Sequence, residues 1–267
     1  MSFARELQVA EVAARAAGEL VARYYAAGPI AVEHKADASP VTAADRDANA
    51  AILEVLRAAF PGDAILSEES PDDGARLSAT RVWIVDPLDG TRDFVKRTDD
   101  FAVHVGLAVD GEAVVGAVYL PVTRALFAAA RGAGAWCEQG GARSALRVAP
   151  DRGDLRVGIS RHHLSERLRA ALDAGGIVDR RPIGASVKHM RVAAGELDAV
   201  INLSSGELEW DTCAPEVVLR EAGGSYTDGD GAPFRYNQPD PEHHRGSIAS
   251  SGASHARLVD LVRGYLG

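Results

Sequence analysis

Only two cysteines, Cys137 and Cys213, occur in 267 residues, so there is no disulfide framework and no paired spacing for zinc. Free thiols suit a reducing compartment. No apolar run is long enough to span a bilayer. The opening residues, Met-Ser-Phe-Ala-Arg-Glu, lack the basic region and apolar core of a secretory signal, and the expected location is cytoplasmic. A positive excess is missing as well. The formal net charge of -9 argues against nucleic acid or an anionic membrane as partner. Repeats and low-complexity tracts are absent. What remains is an ordinary soluble composition, 46% hydrophobic and 25% charged, long enough to bury a large core in one or two domains.

The most informative stretch is Arg81-Val-Trp-Ile-Val-Asp-Pro-Leu-Asp-Gly-Thr-Arg-Asp-Phe94. Residues 82–85 are apolar and mostly β-branched or aromatic, which predicts a short buried strand. Pro87 holds Asp86 extended, so the chain is expected to leave the sheet there in a turn. Gly90 can bring bare backbone N–H groups to an anion, and a helix starting here would aim its positive end at the same point. Carboxylates like those of Asp86 and Asp89 repel by about 4 kcal/mol at 4 Å and an effective dielectric of 20. Cations must offset that if the pair is buried, so strand–Asp–x–x–Asp–Gly–Thr predicts a metal and phosphate station. The plainer alternative is a hairpin turn in which Asp86 caps a helix.

Val9, Val12, Ala13, Ala16, Leu20 and Tyr24 recur at helical spacing and predict a first helix ending before Gly28-Pro29. Ala48, Ile52, Val55, Leu56 and Ala59 mark a second, stopped by Pro61-Gly62. Asp45 lies at its start, where a carboxylate suits the macrodipole whatever else it does. Residues 64–66 read as a strand running into Ser67-Glu68-Glu69-Ser70, and 71–79 as a mobile polar segment. Glu68/Glu69 and Asp86/Asp89 thus end consecutive strands, and carboxylates gathered at strand ends point to a site. Residues 101–149 read as antiparallel β, with Asp110-Gly111 as a hairpin turn. Beyond Pro150, strands at 155–159 and 197–203 alternate with helices at 164–172, 187–194, 212–222 and 257–266. A soft boundary therefore falls near residue 150, between a 1–150 α+β half with most of the acids and a 151–267 α/β half. Asp211 opens the 212–222 helix, either as an N-cap alone or as a further acid closing a metal cage between the halves.

Together, Asp86-Pro-Leu-Asp-Gly-Thr91, Glu68-Glu69, Trp210-Asp211 and Val41-Thr-Ala-Ala-Asp45 resemble the inositol monophosphatase superfamily of metal-dependent, lithium-sensitive phosphatases. The match spans nearly the whole chain in order and spacing. The resemblance implies an α/β (α+β) fold, a layered α-β-α-β-α sandwich of the inositol monophosphatase/fructose-1,6-bisphosphatase type. It implies that Glu68, Asp86, the Leu88 carbonyl, Asp89 and Asp211 ligate two or three Mg²⁺, a cation suited to all-oxygen donors. Those ions would clamp the phosphate and acidify a water for in-line attack. The Thr91 hydroxyl, backed by Asp45, would orient that water and take its proton. Backbone N–H groups of Gly90 and Thr91 would hold phosphate oxygens, with Glu69 as an orienting acid. Lithium inhibition is implied by the resemblance alone, and a homodimer is left open.

Four features resemble the 3′(2′),5′-bisphosphate nucleotidases within that superfamily. Ser160-Arg-His-His163 is similar to a Ser-Arg-x-His motif whose histidine helps hold substrate. Gly184-Ala-Ser-Val-Lys188 is similar to a Gly-Ser-Ser-x-Lys segment. Trp210-Asp-Thr-Cys-Ala-Pro-Glu216 follows the nucleotidase version of its motif, and Asp93-Phe94 carries an acid where inositol phosphatases have asparagine. A bisphosphate needs a second donor-rich pocket, to which Arg161, His163, Ser186 and Lys188 would contribute. Taken alone, His162-His163 reads as a surface pair and Lys188 as an exposed helix charge. Pro233-Phe-Arg-Tyr236 resembles a loop near the nucleoside, which would set Tyr236 against the base. Ala185 and Asn202 depart from the nucleotidase pattern, and Ser204 from the inositol phosphatase one. The expected reaction is removal of the 3′-phosphate of adenosine 3′,5′-bisphosphate (PAP), a by-product of sulfate assimilation, giving AMP and phosphate, with its sulfated form as a further substrate. The alternatives are an inositol-monophosphatase-like or broad sugar phosphatase, and a non-catalytic metal- and nucleotide-binding module.

Overall fold

The computed structural model describes residues 2–34, 40–150, 153–162, 164–204 and 206–266. The chain runs through α1 (Ala4–Ala27), a short ladder of β1 (Glu33–His34) with β2 (Pro40–Val41), α2 (Ala43–Ala59), β3 (Ala64–Ser67), β4 (Arg81–Asp89) and α3 (Thr91–Lys96). There follow β5 (Ala102–Val109), β6 (Glu112–Leu120), β7 (Ala125–Ala130), β8 (Ala135–Gln139) and β9 (Ala142–Ala145). The remainder comprises β10 (Arg156–Ser160), α4 (Glu166–Ala174), β11 (Asp179–Ile183), α5 (Val187–Ala193), β12 (Ala199–Asn202), α6 (Glu209–Glu221), β13 (Ser225–Asp228), β14 (Ser247–Ser250) and α7 (His255–Val262). No helix among the described residues is long and apolar enough to cross a membrane.

A seven-stranded sheet has the order β3-β4-β5-β6-β7-β8-β9, and a five-stranded sheet the order β11-β10-β12-β14-β13. In the larger sheet only β3 and β4 pair in parallel; the rest is an antiparallel meander. Helices α1 and α2 cover its outer face, α5 and α6 lie between the sheets, and α4 and α7 cover the far side of the smaller sheet. The expected α-β-α-β-α sandwich is the observed one. Strand β4 shows how the pattern arises. Trp83 and Val85 enter the core under α1 and α2, whereas Val82 and Ile84 enter the core between the sheets. A strand buried on both faces reads as one unbroken apolar run. The inter-sheet core joins Leu66, Val82 and Val118 to Val217, Leu219 and Ala249, so both halves of the sequence share it.

Helix α6 lies close against the larger sheet. A Cβ on Gly116 would stand 2.3 Å from the Ala214 carbonyl oxygen, so only glycine fits beneath the helix there. That seating carries the first turn of α6, with Asp211, toward the end of β4.

Three local expectations change. Strand β4 does not end at Pro87. It runs on to Asp89, with Asp86 paired to His104, Asp89 to Ala102 and the register shifting between them. A proline has no N–H for a ladder and is tolerated where the pairing is irregular. Residues 71–79 are pinned: buried Arg76 donates to Asp72 and Asn237, the Asn237 side chain returns bonds to Arg76 O and Ala79 O, and Glu209 accepts the Asn237 N–H. Strands β11, β13 and β14 carry too many charged and small polar residues for their sequence to have predicted them.

Gly116→Ala should cost about 1–3 kcal/mol through overpacking, lowering the thermal midpoint by roughly 2–12 °C. Gly62→Ala, with nothing within 4 Å of the added carbon, should melt within about 2 °C of wild type. Equal melting of the Gly116 variant and wild type would contradict this seating of α6.

Candidate active site

β3 leads into Glu68, β4 closes on Asp86 and Asp89, and α6 brings Asp211 from the other half of the chain. Carboxylate oxygens of Asp86, Asp89 and Asp211 lie within 4.8 Å of one another. Glu68 stands beside Asp86, hydrogen-bonding to it and repelling its charge. One oxygen of each aspartate is already held by a backbone N–H. Leu88 N donates to Asp86 Oδ1 at 2.9 Å, Ser186 N to Asp89 Oδ2 at 2.6 Å and Leu208 N to Asp211 Oδ2 at 2.7 Å. The other oxygen of each is left for the cluster, with the rotamer set in advance. Buried His104 links the two halves. Its Nδ1 lies 3.1 Å from the Trp210 carbonyl oxygen and its Nε2 3.3 Å from Asp89 Oδ2.

The electrostatics follow from burial and like charge. Burial pushes Asp86 well above the usual carboxylate range, and Glu68, Asp89 and Asp211 push it further. Asp211 is raised in the same way, by burial and then by Asp89. Burial also opposes ionisation of Asp89, but His104, Lys188 and a Ser186 side-chain hydrogen bond outweigh it and hold Asp89 below the usual range. Among the described residues, no arginine or lysine forms an ion pair with any of the three. The three carboxylates form an all-oxygen donor set that fits a hard divalent cation better than zinc or copper.

Asp45 caps α2 and also reaches Thr91. Its Oδ2 accepts from Thr42 N at 2.7 Å and Thr42 Oγ1 at 2.6 Å, which caps α2. Its Oδ1 accepts from the Thr91 hydroxyl at 2.9 Å, and the Leu88 carbonyl is the other acceptor open to that hydroxyl, at 3.1 Å. Burial raises the Asp45 pKa against the opposing bonds from Thr42 and Thr91. Gly90 adopts φ +88°, and a Cβ there would stand 2.8 Å from the Ala185 methyl and 3.0 Å from Asp100 O. The backbone before Thr91 is therefore bare by necessity. Glu69 follows Glu68 at the end of β3, where its N–H donates to Ser67 Oγ at 3.4 Å.

A cavity of about 400 Å³ opens at the cluster, lined by Asp89 and Asp211 together with Ser186, Lys188, His189 and Glu207. The Lys188 ammonium donates to Ala185 O at 2.5 Å. A wider groove of about 640 Å³ between the start of α1 and Trp136 lies apart from the acids.

A model of the Inositol monophosphatase family matches residues 4–266. The chain belongs to the inositol monophosphatase family. It is 38% identical over 230 residues to the 3′(2′),5′-bisphosphate nucleotidase CysQ of Escherichia coli O157:H7, a match covering 86% of this chain and 92% of that protein. It is 40% identical over 210 residues to the 3′-phosphoadenosine 5′-phosphate phosphatase of Mycobacterium leprae, covering 74% and 73% respectively. Among solved structures it resembles CysQ from Bacteroides thetaiotaomicron, a bacterial member of the family, with a TM-score of 0.81, 32% identity, and 93% and 97% of the two chains covered. Membership makes this chain a phosphatase of the inositol monophosphatase family.

Two substrate residues expected from the sequence are not where this family member's cavity is. Tyr236 is 1% exposed and its hydroxyl donates to Glu216 Oε2 at 2.6 Å, so it belongs to the core behind α6 and faces no nucleoside. Arg161 is already committed, its guanidinium paired with Asp100 and lying 3.8 Å from Asp93. His163 lies outside the described residues. Glu207 and His189 line the cavity and were missed. An acid four residues before Asp211 and a histidine after Lys188 carry no signal of their own without the fold.

With divalent ions chelated, replacing Asp86 should stabilise the protein, because the fold disfavours its ionised form. A carboxyl with a raised folded pKa supports the fold below the ordinary range near 4 and loses that support as pH rises through the raised value. Asp86→Asn in EDTA should therefore exceed wild type by about 1–2 kcal/mol at pH 8. The gap should narrow toward pH 4 in paired thermal melts. A variant less stable than wild type across that range would contradict the repulsion described.

Proposed function

We propose that this family member is a Mg²⁺-dependent phosphatase that removes the 3′-phosphate of adenosine 3′,5′-bisphosphate. The observation that supports this reading is one cavity lined both by acids of the cluster and by a lysine. Asp89, Asp211, Ser186 and Lys188 all line it, and the Ser186 N–H is bonded to Asp89. A monophosphate needs only the cluster. The names of the Escherichia coli and Mycobacterium leprae relatives support the same substrate. Two free cysteines suit a reducing, cytoplasmic setting.

Glu68, Asp86, the Leu88 carbonyl, Asp89 and Asp211 would hold Mg²⁺, which when bound would supply Lewis acidity toward the phosphoester and lower the pKa of a water. The remaining work falls to the chain. The Thr91 proton is committed to Asp45 Oδ1 or Leu88 O, so the lone pairs of Thr91 Oγ1 are free to accept from an attacking water. Asp45, its pKa raised by burial, receives the proton that Thr91 passes on. The bare N–H groups of Gly90 and Thr91 steady phosphate oxygens, and Lys188 and Ser186 hold the second phosphate. Glu69 orients Glu68 from the neighbouring position. A second reading, a phosphatase of inositol or sugar phosphates, is favoured by Arg161 being occupied by Asp100.

Side-by-side turnover of PAP, inositol 1-phosphate and fructose 1,6-bisphosphate with Mg²⁺ tests the choice. PAP should be the best substrate, and equal or faster release from inositol 1-phosphate would reverse the reading. Lys188→Ala should raise KM for PAP at least tenfold, about 1.4 kcal/mol, and leave inositol 1-phosphate nearly unchanged. Thr91→Ala should lower kcat by about 10²–10⁴ with the fold intact by circular dichroism. A variant turning over at the wild-type rate would remove Thr91 from the proton path.

A further inference from the structure

Ala185 takes φ +46°, in the left-handed region that residues with a side chain seldom adopt. It stands directly before Ser186 and α5, and its carbonyl oxygen accepts from the Lys188 ammonium at 2.5 Å. Its methyl group faces the bare Gly90 turn, where a Cβ on Gly90 would lie 2.8 Å from it. A strained residue thus sits between the backbone assigned to one phosphate and the lysine assigned to the other. Such strain persists only where the surrounding structure holds it.

The bonds that hold it are visible on both sides. Ser186 N donates to Asp89 Oδ2 at 2.6 Å, and Gly184 N donates to Asp100 Oδ2 at 2.9 Å. Both acceptors belong to the segment that ends β4, forms α3 and leads into β5, so the turn at 184–186 is pinned from the other half of the chain. Asp100 is 8% exposed and the Arg161 guanidinium supplies its countercharge. Asp100 is itself set in place from α1. Arg97 and Asp99 before it take φ +57° and +68°. Tyr25 donates its hydroxyl to Asp99 Oδ1 at 2.6 Å, and the Arg97 guanidinium carbon lies 4.1 Å from the Tyr25 ring centroid. Asp100 does not line the cavity, so its effect on a substrate must pass through Gly184.

We propose that Asp100 is a positioning residue for substrate binding: its hold on Gly184 keeps Ala185 left-handed, and so keeps Lys188 where it meets the phosphate that does not react. The assignment rests on the reading of Lys188 as the holder of that phosphate, and adds what sets the lysine in place. Arg161, expected from the sequence to touch phosphate directly, acts one step away through Asp100.

Asp100→Ala should raise KM for PAP at least tenfold, about 1.4 kcal/mol, with kcat within about threefold of wild type. Asp100→Asn keeps an acceptor for the Gly184 N–H and should hold KM within about threefold. Glycine takes a positive φ without strain. Ala185→Gly introduced into Asp100→Ala should therefore recover most of the lost KM, which it would not do for a generally loosened fold. Thermal melts report whether each variant is folded. Should Asp100→Ala not fold, Ala185→Val decides instead, because a β-branched residue opposes the left-handed conformation with Asp100 intact. Unchanged KM in the variant used, or no recovery with glycine, would overturn the proposal. Amide exchange reads the same geometry without substrate. The Gly184 and Ser186 N–H groups should exchange at least about tenfold faster in Asp100→Ala than in wild type. If PAP is not hydrolysed while inositol 1-phosphate is, the nucleotidase reading alone fails and exchange decides. Faster exchange then upholds the hold of Asp100 on the lysine turn, and equal exchange overturns it.

Discussion

Like charge held in a buried place is the constraint on which this structure turns. Asp86, Asp89 and Asp211 present oxygens within 4.8 Å of one another with Glu68 alongside, and His104 and Lys188 favour the ionised form of Asp89 alone. Repulsion at such distances is several kcal/mol even with generous screening. The chain relieves it at Asp89 and leaves it in force at Asp86 and Asp211. Backbone N–H groups of Leu88, Ser186 and Leu208 fix one oxygen of each aspartate, which sets the geometry while leaving the countercharge to whatever binds.

Holding that geometry requires segments far apart in sequence to be rigid with respect to one another. The larger sheet carries Asp86 and Asp89, and α6 carries Asp211. The close seat of α6 over Gly116 joins the two without an intervening side chain. His104 adds a polar tie, reaching from its ladder position opposite Asp86 to the Trp210 carbonyl and to Asp89. The loop before β4 is tied into the same unit through Arg76, Asn237 and Glu209. The layered architecture is thus the means by which strand-end acids and a helix-start acid meet.

Much of the site was legible because its logic is local. The spacing of Asp86 and Asp89 before Gly90-Thr91 names a repulsion and a bare backbone within six residues, although the strand runs on past Pro87 to Asp89. Asp45 was legible as a helix-start acid, and that role persists: the capping bonds from Thr42 hold one oxygen while Thr91 takes the other. The substrate side was less legible. Arg161 looks like a phosphate ligand until Asp100 is found beside it, and Tyr236 looks like a base platform until Glu216 takes its hydroxyl inside the core. Glu207 carries no spacing signal at all. Its place at the cavity is fixed through Tyr226, which reaches it from β13.

The sequence by itself determined the helices and the strands other than β11, β13 and β14, the positions of the acids at their ends and the all-oxygen character of the cluster, because periodicity, turn chemistry and side-chain type act over a few residues. Only the tertiary structure decided which oxygens the backbone already holds, which cations are already spent on neighbouring acids and which residues line the cavity. Those outcomes depend on hydrogen bonds and burial between residues tens to more than a hundred positions apart, and no local pattern encodes who the partner will be.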